Sequence, residues 1–266
     1  MFRKKIFTNI MFRKILSILN DEGAKGIYQR LRIRFLYIIK PNITKSAYGV
    51  KLYSKWGDAT FNLCLSGTYG YFFYNFLNNR EKPSSFLDIG ANQGIYTLIA
   101  SKNRNIKKVY SFEPVPDNFK SLKKNIKLNS FNRITAINAA ISSQNKNRYI
   151  SFDKFHTGSS SLDLKKNNTN KLVKIKTINF KYLNKLIKLD YNLIIKIDVE
   201  GHEFVVLKQI VKSNLIKKVD YIYIEINFKR NNLMKIRKIL KKFNFIQIYK
   251  SKIINNHSDF LLKKRI

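Results

Sequence analysis

Three stretches of this sequence carry side chains that can do chemistry. The first is Phe86-Leu87-Asp88-Ile89-Gly90-Ala91-Asn92-Gln93-Gly94, an apolar run that ends at an acid, turns on glycines and leads into a helical pattern. Glycine is required where a backbone takes positive φ or approaches a ligand closely. In an open parallel sheet such a turn lies at the carboxyl ends of the strands, where ligands bind. The spacing G-x-x-x-G does not match the dinucleotide fingerprint, and the G-K-[ST] of a phosphate-cradling loop is missing. Asp88 ahead of the turn repels a pyrophosphate and attracts a cationic amine, which favours S-adenosylmethionine with its ammonium and sulfonium groups. The second stretch, Val109-Tyr110-Ser111-Phe112-Glu113-Pro114, ends the next apolar run in a carboxylate that can accept both ribose hydroxyls of a nucleoside. Acids at the ends of successive strands together point to an adenosine-containing cofactor, against the alternative that Glu113 caps the helix after Pro116.

The third stretch is Ile194-Ile195-Lys196-Ile197-Asp198-Val199-Glu200-Gly201-His202-Glu203. A buried strand that runs into carboxylates, turns at Gly201 and enters a helix brings Asp198, Glu200 and His202 beside the cofactor pocket as catalytic candidates. An imidazole accepts a hydroxyl proton near neutral pH, and a carboxylate orients that imidazole or acts itself. His202 reads otherwise as a solvent-facing residue of the first helical turn, and Glu203 as a charge complementing the helix N-terminus. Lys196, inside an apolar strand, either snorkels outward or pairs with one of these acids. Glu225 ends the neighbouring strand, where it reaches the same site or pairs with a lysine. His156 stands before the loop Gly158-Ser159-Ser160-Ser161-Leu162 and is a weaker proton acceptor.

The elements that must position these residues follow from the apolar pattern. Strands are expected over Ser85 to Asp88, Lys108 to Phe112, Ile134 to Asn138, Leu193 to Asp198 and Tyr221 to Ile226. Helices are expected near Tyr71 to Asn79, Tyr96 to Lys102, Asp117 to Leu128, Glu203 to Val211 and Asn231 to Lys242. Such alternation argues for a parallel sheet with helices on both faces. Phe245 to Tyr249 and Phe260 to Lys264 flank the polar Asn255-Asn256 and predict a closing antiparallel pair. Upstream, Tyr48 to Leu65 reads as a lead-in hairpin joined at Gly57-Asp58. The division expected is residues 1–83, basic helices and lead-in hairpin, then residues 84–266, the cofactor-binding domain.

The N-terminus MFRKKIFTNIMFRKILSIL is interrupted at Arg13 and Lys14 and lacks a small-residue cleavage site, so it reads as mature sequence and as a basic amphipathic helix. A second helical pattern from Ile27 to Ile39 carries Arg30, Arg32 and Arg34 and stops before Pro41. Its apolar run is too short to span a bilayer, which takes about 20 residues. Either helix suits the surface of an anionic membrane, or packs on the catalytic domain or a second subunit.

The pieces LDIGANQGIYTL, YSFEPVPDNFKSLKKNIKLN, INAAIS, GSSSL, IIKIDVEGHEFVVLK and YIYIEIN occur in that order, and in them the sequence resembles the FkbM family of S-adenosylmethionine-dependent methyltransferases. The resemblance covers roughly residues 84 to 228, with IKIDVEGHE its most specific part. It implies a class I methyltransferase (Rossmann-like) fold, a mostly parallel sheet of about seven strands with a C-terminal antiparallel pair and an N-terminal helical extension. It also implies methylation of hydroxyl oxygens of sugars, glycans or polyketides. By that resemblance Asp88, Gly90, Asn92 and Gly94 contact the methionine part of the cofactor, Glu113 holds the ribose, and Asn138 and Ala139 meet the adenine edge. Gly70 in SGTYGYFFYNFL departs from relatives, which often carry a glutamate there.

Composition bounds these readings. The 266 residues are 44% hydrophobic and 14% aromatic, enough for a sizeable core and too many for a disordered tail. One cysteine, Cys64, and no zinc-spaced Cys/His cluster exclude a disulfide scaffold and a zinc finger. Against 16 acids stand 52 Lys and Arg, a formal charge of +36. Codon bias accounts for part of this in a chain crowded with Ile, Lys and Asn, yet the scarcity of Glu leaves a remainder. Anionic partners follow: acidic glycans, lipid head groups or nucleic acid. Nucleic acid is the second choice, because Asp198-Val199-Glu200-Gly201 stands where base amino-methylating enzymes carry D/N-P-P-Y. A non-catalytic binding module is contradicted by the intact Asp88 to Gly94 turn. The expectation is an O-methyltransferase for a sugar or cell-surface glycan, cytoplasmic and peripheral at the inner membrane surface.

Overall fold

The computed structural model of the protein describes residues 28–68, 70–152 and 171–265. Helix α1 (28–39) leads into a hairpin of β1 (Ile43–Lys45) and β2 (Lys51–Tyr53), followed by α2 (Ala59–Ser66) and α3 (Tyr71–Asn78). Then come β3 (Ser84–Ile89), α4 (Ile95–Lys102), β4 (Ile106–Phe112), α5 (Pro116–Leu128) and β5 (Ile134–Ile137). A small insertion follows, of β6 (Ala140–Ile141), β7 (Lys146–Phe152), β8 (Lys171–Ile178) and α6 (Phe180–Leu186). The chain ends with β9 (Asn192–Ile197), α7 (Glu203–Lys212), β10 (Val219–Asn227), α8 (Leu233–Lys242), β11 (Phe245–Lys250) and β12 (His257–Lys264).

Seven strands form the main sheet in the order β11-β12-β10-β9-β3-β4-β5. β10, β9, β3, β4 and β5 run parallel, and β12 lies antiparallel between β10 and β11. This is the class I methyltransferase fold, with the closing antiparallel pair where Phe245 to Tyr249 and Phe260 to Lys264 predict it. Strand side chains alternate between two apolar layers, as the two-residue strand period dictates. Leu87, Ile195 and Ile224 pack with Leu183, Val206 and Ile236 of α6, α7 and α8 on one face. Phe86, Ile194 and Tyr223 pack with Leu98, Phe73 and Phe61 of α4, α3 and α2 on the other.

The hairpin differs from its expectation. It turns through residues 46–50, with Ile43 opposite Tyr53, and it is finished before Gly57 is reached. Gly57-Asp58 instead starts α2, whose first turn is capped by the Asp58 carboxylate accepting from Thr60 N–H at 2.9 Å. A Gly-Asp pair serves a turn or a helix start, and the helical run Ala59–Ser66 decides for the second. The small sheet β6-β8-β7 and helix α6 have no counterpart among the elements expected from the sequence. The amphipathic segment of residues 1–20, His156 and the Gly158 to Leu162 loop lie outside the described residues.

Candidate active site

Strand register sets the site. Ser111 of β4, Asp88 of β3, Lys196 of β9 and Tyr223 of β10 are paired side by side across the sheet. Two residues further along, on the same face, come Glu113, Gly90 and Asp198, just past the ends of β4, β3 and β9, and Glu225, still inside β10 and paired with Asp259 of β12. Backbone bonds hold this second row in line: Gly90 N–H donates to Phe112 at 2.9 Å, and Asp198 N–H to Ile89 at 3.1 Å.

Gly90 has φ +82, and a Cβ there would sit 1.9 Å from the Asp198 carbonyl oxygen. Only glycine lets the first turn cross this close to the end of β9. Gly94, at φ +95, caps α4 where Leu122 of α5 leaves no room for a side chain. A cleft of about 890 Å³ opens above the turn. Gly90, Asn92, Gln93, Tyr96, Glu113, Val115, Ala139, Ile141, Lys196, Asp198, Glu200 and His202 are among its lining residues.

Asp88 does not line this cleft. It is buried beneath it, accepting from Thr97 Oγ1 at 2.7 Å and lying 3.5 Å from Lys196 Nζ. Lys196 resolves the choice between snorkelling and pairing: only 2% exposed, it lies 3.2 Å from Asp198 Oδ2 and donates to the Gly90 carbonyl at 2.8 Å. Burial disfavours its ammonium, but the carboxylates of Asp198 and Asp88 outweigh burial and hold its pKa above the ordinary value. The lysine is thus a fixed cation that reaches the cleft, and Asp88 is its counter-charge from below.

Glu113 closes the turn by accepting from Asn92 N–H at 2.7 Å and from Val115 N–H at 2.9 Å. Burial pushes its carboxyl up to about 7 against those two bonds. A carboxylate has about four acceptor positions, so room remains for hydroxyl donors. Asn138, expected at the adenine edge, is a staple instead of a lining residue, donating to the carbonyls of Glu113 and Pro114 at 2.8 and 3.0 Å. Ala139, 1% exposed, does line the cleft.

The three catalytic candidates come together on the cleft wall, each in a different setting. Asp198 is held by Lys196. Glu200, at φ +54, ion-pairs with Arg230 at 3.2 Å. Burial, then repulsion from Asp198, raises its carboxyl to about 8. His202 Nε2 lies 3.1 Å from Ser142 Oγ, on the side of the cleft formed by β6. Glu203 fixes the turn between them, accepting from Val199 N–H and Gly201 N–H at 3.0 to 3.1 Å.

Several residues of the site carry no signal in the sequence alone. His257 Nδ1 lies 2.7 Å from Glu225 Oε1 and its Nε2 lies 2.9 Å from Asn227 Nδ2. Asn227 Oδ1 accepts from Lys229 and Arg230 N–H, so its Nδ2 is the donor toward His257 and the imidazole carries its proton on Nδ1. Burial, then repulsion from Asp198 and Asp259, raises the Glu225 carboxyl well above its usual range. Tyr96 arrives through α4 and explains Gly70: a Cβ at 70 would lie 1.7 Å from the Tyr96 hydroxyl. Gln93 sits inside the first motif, where its type suggests no role. Its amide is 1% exposed, lines the cleft, and among the described residues neither Oε1 nor Nε2 has a hydrogen-bond partner. Buried amides left unbonded are costly, and a polar ligand in the cleft would satisfy this one.

A family model described as "Methyltransferase FkbM domain" matches residues 88–246, more than half of the chain. The chain belongs to the FkbM methyltransferase family. Its domain is accordingly an S-adenosylmethionine-dependent methyltransferase domain. Hexuronic acid methyltransferase AglP of Haloferax volcanii is 29% identical over 151 residues, 57% of this chain and 59% of that protein. The chain thus matches less than two thirds of the length of that curated relative. Among solved structures, methyltransferase FkbM from Methylobacillus flagellatus is similar at 17% identity and a TM-score of 0.49, over 77% of this chain and 52% of that one. The tRNA m1G37 methyltransferase of M. jannaschii is similar at 15% identity and a TM-score of 0.46, over 84% and 56% of the two chains.

Proposed function

We propose that this protein transfers a methyl group to a hydroxyl oxygen of a sugar, in a glycan or its precursor. The observation that carries the reading is the run of carboxyl groups Asp198, Glu225 and Asp259 on the neighbouring strands β9, β10 and β12, with Asp198 lining the cleft beside the fixed cation Lys196 and Glu225 bonded to His257. Carboxyl groups clustered at and beside a cleft hydrogen-bond vicinal hydroxyls and orient a polyol. The family and the sugar-acid relative support the same acceptor class.

The bound cofactor supplies an electrophilic methyl carbon on a sulfonium. Glu113 takes the ribose hydroxyls with its remaining lone pairs, and Ala139 meets the adenine. The Gly90 turn and the Gln93 amide take the polar groups of the methionine part. Lys196 sets its positive charge against Asp198 at that end of the cleft. Asp198 would orient the acceptor hydroxyl and take its proton, while the methyl carbon exchanges its bond to sulfur for one to the acceptor oxygen and the cofactor leaves as the neutral thioether. Positioning supplies much of the acceleration in an in-line displacement of this kind. His202, held toward Ser142, and Glu200, held by Arg230, shape the neighbouring wall.

The test compares glycans of the source cell with and without the protein by intact mass, together with an Asp198→Asn replacement. A loss of one methyl group per glycan in both mutants, with cofactor affinity retained by the Asp198→Asn protein, is expected. Unchanged glycans, with label from the cofactor appearing in RNA, would overturn the sugar reading.

A further inference from the structure

Among the described residues, helix α1 packs on the rest of the protein along one side. Ile33 and Leu36 rest on the apolar layer beneath α2 and α3. Gln29 Nε2 donates to the Leu65 carbonyl at 3.2 Å, Arg32 donates to the Lys45 carbonyl, and Tyr37 meets Trp56 edge-on at 5.2 Å. The remaining side presents Tyr28, Leu31, Phe35, Ile38 and Ile39, which are 66%, 59%, 61%, 81% and 52% exposed. Their spacing of three and four residues puts them on one continuous stripe along the helix. Scattered exposed apolar residues need no explanation, whereas a stripe of five large ones marks an interaction face.

The charges around the stripe say what covers it. Arg30, Arg34 and Lys40 are exposed beside it. No Asp or Glu occurs between Glu22 and Asp58, while that interval holds eight Lys and Arg. We propose that this face of α1 docks the protein on an anionic lipid bilayer, its apolar stripe entering the interface and its flanking bases meeting lipid phosphates. A second copy of the chain is disfavoured as occupant, because a formal charge of +36 on each copy sets two such faces against one another. Nucleic acid offers the stripe no apolar surface. The docking face is also tied to the cleft: α1 hydrogen-bonds α2 through Gln29, and Thr60 of α2 lines the cleft. Among the described residues no helix is long and apolar enough to cross a membrane, so the contact is peripheral.

The experiment is co-sedimentation of the full chain with vesicles of pure phosphatidylcholine or of phosphatidylcholine with phosphatidylglycerol. Binding to the anionic vesicles alone is expected, lost in high salt. The Leu31→Ser/Phe35→Ser/Ile38→Ser protein should partition at least about ten-fold less, and Arg34→Gln/Lys40→Gln about thirty-fold less. Melting temperature and cofactor affinity should stay at wild-type values in both. Undiminished vesicle binding by the triple variant would overturn the proposal, because other basic segments would then hold the protein. A wild-type dimer in sedimentation that the triple variant abolishes would overturn it in favour of a subunit contact. A lowered melting temperature in the triple variant would overturn it in favour of packing within the chain.

Discussion

The Glu113 carboxyl holds two backbone N–H groups of the turn, and its pKa of about 7 results from burial that those bonds only partly offset. In the proposed function ribose hydroxyls donate to it, so they favour the ionised carboxylate, and a proton competes with them. Cofactor affinity is therefore expected to rise between about pH 6 and 8, and calorimetry at stepped pH checks it. Glu113→Gln should remove that dependence and lower affinity about ten-fold or more, the usual loss when a bond to a charged group is removed. The same shift has a consequence for the ligand-free fold. A carboxyl whose folded pKa stands above its ordinary 4.5 favours the folded state at low pH, and that contribution is lost as pH rises through about 7. Glu200, raised to about 8, acts in the same sense over a slightly higher window. Melting temperature without cofactor should fall from about pH 5 to about 8.5, a trend the cofactor then offsets.

At the scale of elements, the entry from β9 into α7 shows how the site is held. Val199 and Gly201 N–H groups both point at the Glu203 carboxylate, which returns to the turn from the first residue of α7. Glu203→Ala leaves both donors without that acceptor and should cost about 1 to 3 kcal/mol, read as a lower denaturant midpoint. Glu203→Gln should keep part of this, and a wild-type midpoint in Glu203→Ala would show that water satisfies the turn equally well. This turn was legible in the sequence, because a buried strand, a glycine and an acid at a helix start each have a fixed local meaning. The five parallel strands were legible for the same reason, their apolar runs being bounded by charged or polar residues. The sheet β6-β8-β7 was not. Its β8 does alternate, with Val173, Ile175 and Thr177 on one side and Leu172, Lys174 and Lys176 on the other, but in a chain so rich in Lys and Ile that pattern does not stand out. Its partner β7 is separated from it by residues 153–170, outside the described residues, so no short turn signals the pairing. Within the site, Gln93 and His257 escape notice because a glutamine or a lone histidine has no meaning until its neighbours are known. Asp88 reads as a ligand contact because a strand-end acid looks accessible in one dimension. The lysine that covers it comes from a strand far along the chain, and the register of β3 with β9 is what brings them together.

Over the whole molecule, charge is sorted by place. Of the 16 acids, Asp88, Glu113, Asp198, Glu200, Glu203, Glu225 and Asp259 gather at the carboxyl edge of the sheet, while bases dominate the exterior. The apolar interior is divided differently, and it does not respect the division at residue 83. Tyr48, Val50, Leu52, Phe61, Phe73 and Leu77 share one buried cluster with Phe86, Leu98, Val109 and Ile194. Phe73 stacks on Tyr223 at 3.9 Å, and Asn125 of α5 reaches back to donate to Gln93 while accepting from Tyr53 N–H. A chain beginning at residue 84 would therefore strip the hairpin, α2 and α3 from one face of the sheet and leave α4 as the main cover there. Burying each such aromatic or aliphatic side chain contributes about 1.5 to 3 kcal/mol, so losing this many partners exceeds the usual net stability of a domain, about 5 to 15 kcal/mol. The fragment 84–266 is expected to give no cooperative thermal transition and no cofactor binding, followed by circular dichroism and calorimetry. A sharp transition near that of the full chain would instead make the hairpin, α2 and α3 a detachable cover, and would move the determinants of cofactor binding entirely onto the segment after residue 83.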